Sequence, residues 1–284
     1  MADLVKKQDN PIKSFFERDG VKQKFHELLG KRSTQFVTSV LQIATSNKLL
    51  ANADPISIYN AACVAATLDL PLNNSLGFAW IVPYGGAASM QIGWRGYVQL
   101  AQRTGQYKRI NVVEVYENQF KGFNALTEEL DADFTVQGNG TVVGYCAYFL
   151  LINGFEKATY WSIEKVKAHS KKYSKSHASG PWRDEFDKMA KKTVLKHTLA
   201  QWGILSIEMN TAIKVDNAVV RSDDAMEVDY VDVPQKQSKE VERMQKLIEE
   251  QTTIEGLRGL QKDVPDELLD AYLMKEQELT GNNG

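Results

Sequence analysis

Through the first seventy positions the apolar residues fall into helical groupings separated by polar caps. Ser33 or Thr34 suits the start of a helix over Gln35 to Thr45, and Asp54-Pro55 supplies a cap and first turn for one reaching Asp69. The pattern then changes period. Phe78 to Val82 and Ser89 to Ile92 flank Tyr84-Gly85-Gly86-Ala87 as a hairpin, and a short helix from Trp94 to Arg103 ends at Gly105, a left-handed cap. A strand is predicted near Ile110 to Tyr116. Asn139-Gly140 and Asn153-Gly154, dipeptides suited to tight turns, separate strands near 133–138, 141–152 and 155–162 in an antiparallel meander.

After Pro181, well placed in a first turn, the spacing predicts one helix to Trp202. At ~100° per residue, Trp182, Phe186, Met189, Ala190 and Thr193 share one side and Lys188, Lys191 and Lys192 the far side, with Leu195 and Leu199 among the lysines. Residues 216–238 mix acids, Val and Pro without period and read as a linker. Short amphipathic helices are predicted over 239–250, 254–261 and 265–279. The expected fold is therefore α+β: an antiparallel β-meander braced by helices, a helical N-terminal region and a small helical C-terminal domain. The divisions are 1–215, 216–238 and 239–284. Phe15, Phe16, Phe25, Leu28 and Leu29 need cover, from the core or from another subunit.

Composition narrows the class. With 284 residues, 43% hydrophobic and 25% charged, the chain can bury one large core and a small one. Its most apolar run, Val142 to Ile152, is far below the roughly 20 residues of a membrane span, and the start lacks a secretory hydrophobic segment, so a cytoplasmic, membrane-free protein is expected. Cys63 and Cys146, the only cysteines, sit in apolar patterns as core residues without metal-ligand spacing.

Charge changes the picture more. The net charge of −2 conceals seventeen acids against eight bases from Asp216 onward, a balance of −9, which leaves +7 for residues 1–215. Residues 157–196 alone hold eleven Lys and Arg against four acids and thread Tyr160, Trp161, Tyr173, Trp182 and Phe186 among them. Mobile cations for phosphates and flat rings for unpaired bases suit single-stranded nucleic acid, although a solvated helix face has the same composition. The most specific string is Gly93-Trp94-Arg95-Gly96-Tyr97, in which Arg95, Gln99, Gln102 and Arg103 share a helical stripe that can donate to phosphates or sugars. Lys108 and Arg109 enter the next strand.

That string, the preceding Ile-Val-Pro-Tyr hairpin and the later Pro181-Trp182-Arg183 to Met189-Ala190-Lys191-Lys192-Thr193-Val194 resemble the phage recombinase family RecT over roughly residues 30 to 210. The resemblance implies an ATP-independent single-strand annealing protein of recombination that is not an enzyme and needs no cofactor. It implies a homo-oligomer, ring or helical filament, on single-stranded and annealed duplex DNA. Residues 239–284 would dock a partner such as host single-strand-binding protein or a phage exonuclease. No G-x-x-x-x-G-K-[ST] loop occurs, so an ATP-driven motor is disfavoured.

Phosphates are assigned to Arg95, Arg103, Lys108, Arg109, Lys165, Lys167, Lys171, Lys172, Lys175, Arg183, Lys188, Lys191 and Lys192, with Gln99 beside them. Trp94, Tyr97, Trp161, Tyr173 and Trp182 are candidate platforms, and the sequence leaves open which of them stack and which are core. The rival class is a metal-dependent nuclease using His169, His177 and His197 with Asp184, Glu185 and Asp187, or Glu114, Glu117, Asp131 and Asp133. Neither set has ligand spacing on one element, so no catalytic or metal residues are assigned.

Overall fold

A computed structural model describes residues 11–230 except 74, 175, 176 and 179, and beyond them 243–244, 246–248, 250–260, 264, 272, 275 and 279. The chain divides into two compact units, residues 1–232 and 233–284.

Five helices open the first unit: α1 (Pro11–Phe16), α2 (Asp19–Leu29), α3 (Ser33–Ser46), α4 (Lys48–Ala51) and α5 (Pro55–Thr67). Asp54 caps α5, accepting from the Ile56 N–H at 3.1 Å ahead of Pro55. Phe16, Phe25 and Tyr59 pack ring on ring with Phe15 and Phe36, so this apolar surface is covered by the protein's own core. Next come β1 (Ala79–Tyr84), β2 (Ala87–Ile92), α6 (Trp94–Arg103), β3 (Tyr107–Tyr116), β4 (Phe120–Asn124), β5 (Glu129–Ala132), β6 (Val142–Leu151), β7 (Glu156–Ser162) and α7 (Ile163–Tyr173). The unit closes with α8 (Pro181–Asp184), α9 (Phe186–Trp202), α10 (Ile207–Val215), β8 (Ala218–Val220) and β9 (Val228–Tyr230).

The strands form a sheet in the order β1-β2-β8-β9, a second in the order β3-β6-β7, and the separate β4–β5 hairpin, all pairings antiparallel. The fold is α+β. One face of β3-β6-β7 presents Val112, Tyr145, Ala147, Phe149 and Trp161 to the main core beneath α9. On the other, Val113, Val115, Cys146 and Tyr160 lie under Phe120 and Leu130 of the hairpin.

Four expectations are corrected. Residues 133–138 are not a strand: Gln119 Nε2 donates to the Val136 carbonyl and Asn118 Nδ2 to that of Gln137, tying the segment down as a loop. The helix after Pro181 breaks at Glu185, whose φ of −138° and ψ of 44° are not helical. Helix α7, capped by the Ser162 side chain, follows where the charge pattern predicted no element. The expected linker begins too early, because Asp216 is buried and residues 218–220 and 228–230 extend the first sheet.

In the second unit, α11 (Ile254–Leu260) lies within the helix expected over 254–261, and Ile248, Leu257 and Tyr272 form a small core. Apart from three positions, the helix expected over 265–279 falls outside the described residues. No helix among the described residues is long and apolar enough to cross a membrane.

Candidate nucleic-acid interface

The glycines of the Gly93-Trp94-Arg95-Gly96-Tyr97 string have a steric reason. A Cβ on Gly96 would stand 2.3 Å from the Phe78 carbonyl oxygen, and one on Gly93 the same distance from that of Gly77. The start of α6 thus lies directly on the chain entering β1. Tyr97 turns inward and is fully buried, its hydroxyl donating to Asp216 at 3.0 Å, so it is corrected from platform to core. Trp94 and Gln99 are half-buried. Arg95 is exposed, 5.5 Å from the Trp94 ring centroid. Arg103 instead serves the protein: its guanidinium donates to the Leu68 and Asp69 carbonyls, both at 2.6 Å, closing the end of α5.

Asp216 gathers the neighbouring charges. One carboxylate oxygen accepts from Lys192 at 2.7 Å and the Ile92 N–H at 2.9 Å, the other from Lys196 at 3.0 Å and Tyr97. Burial works to raise this carboxyl, but the two ammonium groups prevail and hold it at about 2. Lys192, 5% exposed, is therefore an internal counter-ion and not the solvent-side cation the projection predicts. Leu195 and Leu199 are buried on that same side. Lys191 pairs with Glu114 at 2.7 Å, Lys188 with Glu185 at 2.6 Å and Arg183 with Asp184 at 2.7 Å, the last two on the surface. Trp182, 7% exposed, packs on Phe186.

Of the remaining candidates, Lys165, Lys167, Lys171, Lys172 and Tyr173 lie on α7, and Trp161 stands just before it. Lys165, His169 and Lys172 recur along one flank, while Lys167 and Lys171 lie on the other, all four lysines exposed. From this flank a file of rings runs inward. Tyr173 lies 4.6 Å from His169, His169 5.2 Å from Trp161, and Trp161 4.8 Å from His197 on α9. The outer ring, Tyr173, is 42% exposed and Trp161 only 5%, which makes Trp161 the floor of the file and not a platform. Lys165 Nζ sits 4.5 Å from the Trp161 centroid and Lys172 Nζ 5.2 Å from that of Tyr173. Burial, then His197 and Lys196, Lys165 and Lys172, depress the His169 imidazole to about 4, and burial with Lys165 lowers His197. A neutral file edged by cations is the result.

The pattern reading missed Lys157 and Trp202, which extend this surface: the ammonium is 4.4 Å from the indole centroid, and Trp202 is 44% exposed. A tryptophan ending a helix beside Gly203 gave no periodic signal. Lys157 also pairs with Glu128, which follows the hairpin tip. Arg109 is separated from this cluster. Register with Leu150 places it on the face of β3-β6-β7 away from α9, near Tyr148. Lys108 is exposed beside it, and Lys175 lies outside the described residues.

For the rival chemistry, Asp187 accepts from the Tyr145 hydroxyl, Glu114 is paired with Lys191, and no group of three His, Cys, Asp or Glu able to hold a metal occurs among the described residues.

Compared with known proteins, residues 34–232 match the model of the RecT family. The chain is 47% identical over 230 residues to the uncharacterized protein YqaK of Bacillus subtilis strain 168, covering 81% of this chain and 80% of that one. It is 29% identical over 240 residues to the protein RecT of Escherichia coli strain K12, covering 76% and 87% respectively.

Proposed function

The chain belongs to the RecT family of single-strand annealing proteins of recombination, and from that premise we propose that it pairs complementary DNA strands without ATP, holding them along the α7 ring file. The observation that carries the reading is the combination of Tyr173, exposed at the outer end of the file, with Lys165, Lys172 and the Lys157–Trp202 pair. The lysines neutralise phosphates and release counterions, and the exposed rings take bases of any sequence. No bond is made or broken, so the protein acts as a binder and not as an enzyme. Base stacking releases on the order of 1.4 kcal/mol per step, which supplies the drive once two strands are held extended.

It works as a homo-oligomer, ring or filament, on single strands and on the annealed duplex. Its second unit, with eleven acids against seven bases beyond residue 232, docks a protein partner such as host single-strand-binding protein or a phage exonuclease. The test is annealing of complementary oligonucleotides without nucleotide, with single-strand affinity measured across salt. Combining Lys165→Ala and Lys172→Ala should flatten the logarithmic salt slope by about 1.4, at roughly 0.7 per lost phosphate contact on single strands. An ATP requirement, or shortening of end-labelled DNA, would overturn the reading.

A further inference from the structure

The β4–β5 hairpin ends in Leu126, 92% exposed. A lone exposed leucine is ordinary on a protein surface. This one is held out by a braced turn. Asn124 Oδ1 accepts from the N–H groups of Leu126 at 3.0 Å and Thr127 at 3.3 Å, Thr127 Oγ1 donates to Glu129 at 3.0 Å, and Glu128 takes a left-handed φ of 57°. At the root, Phe120 and Phe123 lie 5.4 and 5.2 Å from the Tyr160 ring centroid. Glu128 then reaches Lys157, whose ammonium lies against Trp202, and its charge also acts on His197, the ring of the file carried by α9. The turn is thereby fastened beside the cation and aromatic surface, with its one carboxylate on that side neutralised.

We propose that Leu126 is a wedge that enters the base stack of the bound strand and separates adjacent bases where the strand passes Trp202. The inference rests on the annealing reading and adds a part to it. The lysines hold phosphates whatever the bases do, whereas a base can meet its complement only when its neighbours in the same strand do not hold it stacked. An apolar side chain can cover the exposed face of an unstacked base, and a tip fixed by hydrogen bonds and an ion pair can hold the gap open where a mobile one would fold away. Glu128 serves as a positioning residue through Lys157.

The experiment uses the full-length chain and oligonucleotides carrying 2-aminopurine between adenines, at each position in turn, since its emission rises on unstacking. We expect emission to rise several-fold at a subset of positions on binding to the wild type. The rise should be lost with Leu126→Ser and kept with Leu126→Phe, with the salt slope of binding the same in all three. An equal rise with Leu126→Ser, or none in a wild type that binds, overturns the wedge. Loss of binding or of oligomeric state by Leu126→Ser with an unchanged circular dichroism spectrum overturns it as well, and places the tip in a subunit contact. Failure of the wild type to bind DNA overturns the annealing reading itself.

Discussion

Asp216 carries a structural charge, because it compensates a lysine that is almost wholly buried. With the Asp216 side chain fully buried and that of Lys192 7% exposed, Asp216→Asn removes the buried carboxylate that two ammonium groups face and should cost about 3–5 kcal/mol, read as a fall in urea midpoint. Its carboxyl is held below the ordinary value, so its contribution is complete above about pH 4 and is lost as pH falls through about 2. His169 is also depressed, from 6.5 to about 4, so its contribution is present above pH 6.5 and lost as pH falls through 4. Stability should accordingly fall in an upper stage, reduced in His169→Gln and left there to His197, which is also depressed, and in a lower one that remains. A single step unchanged by that substitution would place the histidine in contact with water.

For whole elements, close approach decides more than propensity. Gly96→Ala pushes a methyl into the Phe78 carbonyl and against the Ile92 side chain, and since the nearer obstacle is backbone, about 1–3 kcal/mol should be lost, measured by thermal unfolding. The strings that mark α6 and α9 were legible in the sequence because they are long and dense in rare residues, and the hairpin of β1 and β2 because its turn needs two glycines. Helix α7 was not, since only Val166 and Ser170 of its eleven residues are buried and the lysines hide any apolar stripe. Strand β8, three residues long, falls below any periodic signal. The direction of Lys192 was beyond reach for a different reason: whether a charge can be buried depends on its partner, and Asp216 lies 24 positions further on. Of the candidate cations, Lys165, Lys167, Lys171 and Lys172 remain exposed, while Lys192 is buried against Asp216 and Arg103, though exposed, spends its donors on the Leu68 and Asp69 carbonyls.

In the molecule as a whole, the division at residue 232 separates charge as well as structure. Eleven acids and seven bases beyond it leave residues 1–232 at +2, so a chain ended there should remain folded, anneal DNA in vitro and bind it slightly more tightly at low salt. Recombination in cells should drop, through loss of the partner docking proposed for the second unit. Binding lost while circular dichroism stays native would assign the second unit to the DNA surface. A chain ended at 215 should behave quite differently, for it lacks β8, β9 and the carboxylate that Ile92, Tyr97, Lys192 and Lys196 share. The 124-residue separation between Ile92 and Asp216 sets a schedule for synthesis. At about 5–20 residues per second, a ribosome leaves roughly 6–25 s between them, during which β2 has an open edge and the pocket for two ammonium groups has no anion. Completion of this pocket in the nascent chain must therefore wait for one late aspartate.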